Sequence, residues 1–83
     1  MASKELIQQV WEKGRQIQGR DPDTWRRDSE GNLIRRSSYG TQGEYAWEID
    51  HIIPTAKGGS DNLRNLQPLH TEENREKSDK IRR

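Results

Sequence analysis

The sequence has no cysteine and no phenylalanine, and Leu, Ile and Val together account for only 13 of its 83 residues. Without thiolates, neither a disulfide framework nor a cysteine-ligated zinc site can form. So few apolar residues exclude a large core and a second domain. No run approaches the ~18 apolar residues of a membrane span, and the first residues lack the apolar segment of a signal peptide. These absences predict a cytoplasmic protein.

Charge is abundant but almost balanced, with 15 Lys and Arg against 14 Asp and Glu, for a net charge of +1. The content of Leu, Ile, Val and Phe lies below the ~20% level that flags disorder, but disordered chains also carry a high net charge. A chain this small and polar often needs a stabilising staple. Since thiolates are absent, the candidates are a non-thiolate metal ion, a partner or a ligand.

Residues 1–43 divide into a helical and an irregular part. Apolar residues at helical spacing, from Leu6 to Ile17, predict a helix over residues 3–17 with Ser3 as its N-cap. The polar turn at 29–32 then predicts a hairpin between extended pieces over 24–28 and 33–37. The hairpin is rich in arginine, which suits contacts with a phosphate backbone, although ordinary surface charge explains it equally well. These arginines are Arg26, Arg27, Arg35 and Arg36.

Residues 44–80 predict the order strand, turn, strand, helix. Apolar and aromatic residues alternate with polar ones over 44–53 and predict a strand. Pro54 and a glycine-containing turn over 57–60 close that strand. Residues 66–69 predict a short return strand, which Pro68 confines to a sheet edge or a strand end. Thr71 is the predicted N-cap of a helix over 71–79, and the tail beyond it is basic.

Four polar residues of this second half suit one reaction when they are taken together: Asp50, His51, Asn65 and Asn74. Each has an ordinary structural explanation when it is taken alone. Cleavage of a phosphodiester, however, needs an activated water and a cation for the charge on the phosphate oxygens. Histidine exchanges a proton near neutral pH, and Asp and Asn oxygens suit a hard divalent ion. A second amide near the base can fix the orientation of its ring.

Strand geometry limits how these side chains meet. Because side chains alternate along a strand, Asp50 and His51 point to opposite faces. Both reach one phosphate only if it lies at the end or edge of the strand, or if the backbone bulges there. The sequence leaves these alternatives open.

The ordered set of Asp50-His51, Gly58-Gly59, Asn65-Leu66-Gln67 and Asn74 with Lys77 resembles the HNH endonuclease family. The resemblance implies an α+β fold built on the ββα-metal (HNH, or His-Me finger) motif, with an N-terminal helix and an additional short hairpin. It also implies a single nuclease domain over 1–83. In that division, residues 1–43 hold the helix and hairpin, 44–80 form the ββα-metal core, and 81–83 are a basic tail.

The resemblance also implies roles for individual residues. Asp50 and Asn74 match the metal ligands, His51 matches the general base, and Asn65 matches the residue that orients that base. The oxygen-rich ligand set favours one Mg²⁺ or Mn²⁺ ion. No structural zinc is expected, because the cysteine pairs of many relatives are missing.

Several further residues are candidates with competing explanations. His70 and Glu48 are candidates to contact the metal or to position its ligands, against roles in a cap or a salt bridge. Lys77 lies one helical turn from Asn74 and is a candidate to meet the substrate phosphate, against the role of a solvated lysine. Lys57 joins the hairpin arginines as a candidate nucleic-acid contact.

The expected function is a metal-dependent DNA endonuclease of low sequence specificity that nicks one strand per event, leaving 5′-phosphate and 3′-hydroxyl ends. One alternative is a non-catalytic nucleic-acid-binding module with a vestigial metal site. Another is a small structural or interaction protein stapled by a metal ion. The expected partner is DNA, contacted mainly at its phosphate backbone, and no membrane. The chain is expected to act as a monomer or weak dimer, alone or within a larger phage or mobile-element machinery.

Overall fold

The computed structural model describes residues 2–82, with side chains as far as residue 77. Within this range the chain is α+β, with two α-helices and four short strands. In chain order they are α1 Lys4–Trp11, β1 Trp25–Arg27, β2 Leu33–Arg35, β3 Trp47–His51, β4 Leu66–His70 and α2 Thr71–Arg82. Single 3₁₀ turns cover Arg36–Ser38, Thr55–Lys57 and Leu63–Asn65.

Helix α1 begins as predicted but ends earlier. The hydroxyl oxygen of Ser3 accepts a hydrogen bond from the amide of Leu6 at 3.1 Å, which caps the helix. After Trp11 the amides of Lys13 and Gly14 bond three residues back, at 3.0 and 2.9 Å, which tightens the last turn. Arg15 then pairs with the backbone of Arg27. The prediction of a helix over 3–17 is therefore wrong beyond Trp11, because the chain leaves the helix to bridge the hairpin.

Strands β1 and β2 form the predicted antiparallel hairpin, with Arg26 opposite Ile34. Its turn is held by Asp28, whose side chain accepts hydrogen bonds from the amides of Glu30 and Asn32 at 3.0 and 2.8 Å. Gly31 has a φ of 85° there, which glycine adopts without steric cost. The hairpin therefore depends on a buried carboxylate as well as on turn propensity.

Strands β3 and β4 pair antiparallel and lead directly into α2, which gives the ββα order. Pro68 lies opposite Ile49 within β4, where its missing amide is tolerated because a two-stranded sheet leaves one edge of β4 free of a ladder. The predicted cap of α2 is displaced by one residue. The amide of Glu72 donates to His70 Nδ1 at 3.2 Å, so His70 rather than Thr71 caps the first turn.

The core joins the N-terminal half to the ββα half. The rings of Trp11 and Trp47 lie 5.3 Å apart between centroids, and Tyr39 meets Trp47 edge-on at 4.9 Å. Val10, Ile34 and Leu66 complete this buried cluster. The aromatic rings supply much of the buried area that the scarce aliphatic residues cannot. In the part of the chain that the structure describes, no helix is long and apolar enough to cross a membrane.

Candidate active site

The loop that follows β3 is fixed by Asn65. Its side-chain oxygen accepts from the amide of Ile53 at 2.9 Å, and its side-chain nitrogen donates to the carbonyls of Ile53 and Ser60 at 3.1 and 2.7 Å. Asn65 is only 8% exposed, so these bonds are shielded from competing water. Asn65, the residue predicted to orient His51, bonds the backbone of Ile53, two residues beyond that histidine.

Glycine is required where this loop turns back. Gly58 has a φ of 88°, and a Cβ added to Gly59 would lie 1.7 Å from the carbonyl oxygen of Ile53. The amide of Gly59 instead donates to the carbonyl of Pro54 at 2.9 Å. The pair Gly58-Gly59 of the motif therefore lets the backbone approach close enough for Asn65 to bridge both sides of the loop.

Two polar contacts join β3 to α2 on one face of the sheet. Asn74 donates its side-chain amide to Glu48 Oε1 at 2.7 Å, and Lys77 pairs with Asp50 Oδ2 at 2.8 Å. The spacing follows from both elements, since residues two apart share a strand face and residues three apart share a helix face. The structure therefore brings all four residues to one interface. Asn74 contacts Glu48, which is the neighbour of Asp50 on the same face of the strand.

Asp50 is the most enclosed of these groups, with 4% exposure. Lys77 Nζ contacts both of its carboxylate oxygens, at 3.0 and 2.8 Å, and Gln67 donates to Oδ2 at 2.9 Å from the opposite strand. Gln67 is the direct cross-strand partner of Asp50 in the antiparallel register. The Asn-Leu-Gln segment of the motif thus supplies the loop clamp through its first residue and orients Asp50 through its last.

His51 lies on the other side of the strand from Asp50, as alternation requires. The pairing of β3 with β4 continues through His51 and Leu66, so no bulge reorients the two side chains. His51 is partly exposed, and its Nε2 lies 2.7 Å from Asp61 Oδ1 in the loop. An ionised carboxylate only accepts, so in the neutral imidazole Nε2 carries the proton and Nδ1 is the acceptor. Both side chains sit where the strand ends, which is one of the arrangements that could address a single phosphate.

His70 is engaged elsewhere. Its Nε2 lies 2.7 Å from the carbonyl oxygen of Glu44, while Nδ1 caps α2 and its backbone amide donates to Asp28 Oδ2 at 2.9 Å. It pairs with Trp47 at the opposite end of β3 from Asp50 and His51. A metal contact would require one of its ring nitrogens to give up its present partner.

The hairpin arginines are not equivalent. Arg26 is 7% exposed, and its guanidinium donates to the carbonyls of Glu12, Gly14 and Pro22 at 2.9 to 3.0 Å. Arg26, a predicted nucleic-acid contact, thus has its guanidinium bonded within the fold, at the joint between α1 and the hairpin. Arg35 is exposed and lies 5.6 Å from the ring centroid of Trp25.

Two other arginines also lie against aromatic rings. Arg20 lies 5.3 Å from the same Trp25 ring, and Arg36 lies 6.0 Å from the Trp47 ring while donating to Gln8 at 3.0 Å. Arg27 donates to the carbonyl of Gly31 at 3.0 Å and is half-buried. Lys57 is exposed in the loop after β3. Stacking on an aromatic ring holds a guanidinium in place without neutralising its charge.

The donor set can be tested against a divalent ion. Among the described side chains, no three of His, Cys, Asp or Glu type converge on one point. A metal ion would therefore rely on the Asp50 carboxylate and the Asn74 amide oxygen, with other oxygens completing its shell, which is the usual manner of Mg²⁺. The ammonium of Lys77 already lies among oxygens of Asp50 and two backbone carbonyls. This oxygen-lined position fits a hard cation.

Sequence reasoning did not assign four of the residues that build the site. They are Lys13, Asp28, Asp61 and Gln67. Gln67 lies within the Asn65-Leu66-Gln67 segment, so a cross-strand register drawn opposite Asp50 could have singled it out. Lys13 donates to the carbonyls of Leu63 and Leu66, and no pattern in the sequence indicates that contact.

The family model for HNH endonucleases matches residues 27–80. No curated protein and no solved structure matches the chain significantly. The match begins at the end of β1 and covers β2 and the whole ββα segment, including Asp50, His51, Asn65 and Asn74.

Proposed function

Because the chain belongs to the HNH endonuclease family, we propose that it hydrolyses phosphodiester bonds of DNA with the help of one divalent metal ion. Family membership supports a nuclease that acts on nucleic acids. The observation that carries the finer proposal is the end of β3, where successive residues present a partly exposed histidine and a half-buried, oxygen-lined cation position.

His51 is the proposed general base. Its Nε2 donates to Asp61, so Nδ1 is free to take a proton from water. The resulting hydroxide attacks phosphorus, and the 3′-oxygen departs opposite to it and takes a proton from solvent. The products are then a 5′-phosphate and a 3′-hydroxyl. Asn65 supports this step from a distance, because it holds the backbone that follows His51.

Asp50 and Asn74 are the proposed metal ligands. These two residues would hold a divalent ion, which would supply positive charge to the phosphate oxygens and to the leaving oxygen. Glu48 fits the role of positioning Asn74, since it accepts from the amide nitrogen and so turns the amide oxygen outward. Gln67 fits the role of positioning Asp50, because it donates a hydrogen bond to Oδ2 of that carboxylate. The oxygen ligands favour Mg²⁺ or Mn²⁺ over zinc.

DNA is proposed to lie across the cations that remain exposed or half-buried: Arg20, Arg27, Arg35, Arg36 and Lys57. Arg26 is left out because its guanidinium is used within the fold. These contacts suit phosphates, which carry no sequence information, so we expect low specificity. A single site cuts one strand per event, so a monomer should produce nicks.

The alternative is a non-catalytic nucleic-acid-binding module, and one contact favours it. Lys77 already neutralises Asp50, so the fold does not require a metal ion for charge balance at that carboxylate. The two functions differ in whether the fate of the DNA depends on the imidazole of His51. A binding module would retain DNA and leave it intact, with or without the imidazole.

The test is supercoiled plasmid incubated with the protein in Mg²⁺, Mn²⁺ or EDTA. We expect nicked circles with either metal and none with EDTA. His51→Ala should lower the rate by at least ~10²-fold, the scale of general-base catalysis. Gln9→Ala, an exposed substitution on α1, is the control and should cut normally. Equal cutting by the wild type and His51→Ala would remove His51 from the mechanism. DNA binding without any cutting would favour the alternative.

A further inference from the structure

The ammonium of Lys77 lies at the centre of four oxygen atoms. They are Asp50 Oδ1 and Oδ2 at 3.0 and 2.8 Å and the carbonyl oxygens of His51 and Ile52 at 2.6 and 3.3 Å. These oxygens belong to three groups, one carboxylate and two carbonyls, so all three protons of the ammonium have an acceptor. The ammonium therefore fills a position lined by carboxylate and carbonyl oxygens, which are also the ligands that a hard divalent cation takes.

The electrostatics of Asp50 explain why a cation is held there. Its side chain is 4% exposed, and that of Lys77 is 29% exposed. A buried carboxylate is costly unless an opposite charge compensates it. Gln67 contributes a hydrogen bond but no charge. Lys77 therefore provides the positive charge that Asp50 needs when no metal ion is bound.

A second cation at the same carboxylate would lie close to this ammonium. Like charges a few ångströms apart repel strongly where solvent is partly excluded. Lysine has a long, flexible stem and a strongly hydrated head, and the partial exposure of Lys77 leaves it a route into solvent. The ammonium can thus move outward while the stem remains on α2.

We propose that Lys77 is an internal counter-ion that competes with the divalent metal for Asp50, so that the metal ion binds as the ammonium withdraws. This inference rests on the proposed function, because it takes Asp50 as a metal ligand. Withdrawal also releases the carbonyl of His51, so metal loading loosens the backbone that carries the base. The freed ammonium becomes available to a phosphate oxygen, so DNA and the metal ion favour the same position of Lys77 and bind cooperatively.

The experiment titrates Mn²⁺ alone, without DNA, into the full chain and follows binding by calorimetry. Lys77→Met removes the charge, and Lys77→Gln removes it while keeping a hydrogen-bond donor. Both should bind Mn²⁺ more tightly than the wild type, by ~10-fold or more, which corresponds to the free energy of one pKa unit of charge interaction. Asp50→Asn should abolish this binding. Lys4→Met, which removes an exposed lysine on α1, should bind like the wild type.

Thermal unfolding gives a second readout that does not depend on activity. In EDTA, Lys77→Met should melt below the wild type because Asp50 loses its counter-charge. Saturating Mn²⁺ should raise its melting temperature by more than that of the wild type. Lys77→Gln provides the same comparison if Lys77→Met does not fold.

The outcomes separate the two proposals. If the wild type binds Mn²⁺ through Asp50 but both Lys77 variants bind it no more tightly, the competition is disproved and the metal site stands. If no variant shows Mn²⁺ binding that depends on Asp50, the metal site fails and the competition fails with it. Tighter binding by both Lys77 variants, lost on adding Asp50→Asn, supports the inference.

Discussion

Asn65 holds Ile53 by both sides of its backbone, accepting from its amide at 2.9 Å and donating to its carbonyl at 3.1 Å. This pairing is the kind that two strands exchange, made here by one side chain. It fixes the chain two residues after His51, and a third bond to Ser60 closes the loop that carries Asp61. The position of the imidazole therefore depends on a residue that does not contact it.

Substitution of Asn65 should lower the free energy of unfolding and leave Mn²⁺ affinity unchanged. Asn65→Asp keeps an acceptor for the Ile53 amide but loses both donated bonds and sets a carboxylate against two carbonyls. We expect a loss of about 1–3 kcal/mol in unfolding free energy, the cost of unsatisfied buried groups. Urea denaturation measures this loss, and Mn²⁺ affinity should stay near that of the wild type. A parallel loss of metal binding would make Asn65 a ligand instead.

Gly59 should tolerate no side chain. A Cβ there would lie 1.7 Å from the Ile53 carbonyl oxygen, a backbone atom that Asn65 already fixes. We expect Gly59→Ala to destabilise the fold by about 2–4 kcal/mol, in the range of substitutions that force backbone strain. Gly43→Ala is the matched control, because nothing lies within 4 Å of its added Cβ and its φ is not positive. Equal melting temperatures for the two variants would contradict the close approach.

Substitution of Arg26 should lower stability, whereas substitution of Arg35 should weaken DNA binding. Arg26→Met removes the donor to the carbonyls of Glu12 and Gly14, while the Pro22 carbonyl keeps the bond from Trp11 Nε1, so we expect a loss of about 2–4 kcal/mol in stability by denaturant unfolding. Arg35→Met should leave stability almost unchanged, because Arg35 is exposed. It should instead weaken DNA binding and lower the salt-dependence slope by about 1. Weaker DNA binding by a fully folded Arg26→Met would restore Arg26 to the DNA surface.

The sequence predicted the parts of the fold that depend on local pattern. The hairpin at Gly31, the alternating strand and the ββα order appear where turn residues and periodicity indicate them. The end of α1 was not predictable, because it depends on Arg15 pairing with Arg27, a contact between distant residues. Arg26 likewise differs from Arg35 only through packing against the carbonyls after α1.

The candidate site was likewise predictable only in part. The motif identified Asp50, His51, Asn65 and Asn74, and the structure gathers them around the end of β3 and the start of α2. Their immediate partners were not predictable from spacing. Gln67 and Lys77 meet Asp50 only because of the strand register and the helix position, and Asp61 meets His51 only because the loop folds back.

His70 should behave as a capping residue. Its Nδ1 accepts from the amide of Glu72, and asparagine can accept the same bond because it is a favoured N-cap. We expect His70→Asn to retain Mn²⁺ affinity and most stability, while His70→Ala loses about 1 kcal/mol. Calorimetry and thermal unfolding measure the two effects. A marked loss of Mn²⁺ binding in His70→Asn would identify His70 as a metal ligand.

Asp61 should set the tautomer of His51. Its carboxylate accepts from Nε2 at 2.7 Å, which leaves Nδ1 as the basic nitrogen. Asp61 is 91% exposed, so the contact is weak and its loss should be modest. We expect Asp61→Ala to lower kcat by about 3- to 10-fold with little change in KM, less than the effect of a buried orienting group. Asp61→Asn keeps an acceptor oxygen, so its kcat should lie between those of the wild type and Asp61→Ala. Imidazole ¹⁵N shifts should report Nε2 protonated in the wild type and a mixture of tautomers in Asp61→Ala; the same tautomer in both proteins, with equal kcat, would show that Asp61 does not orient the base.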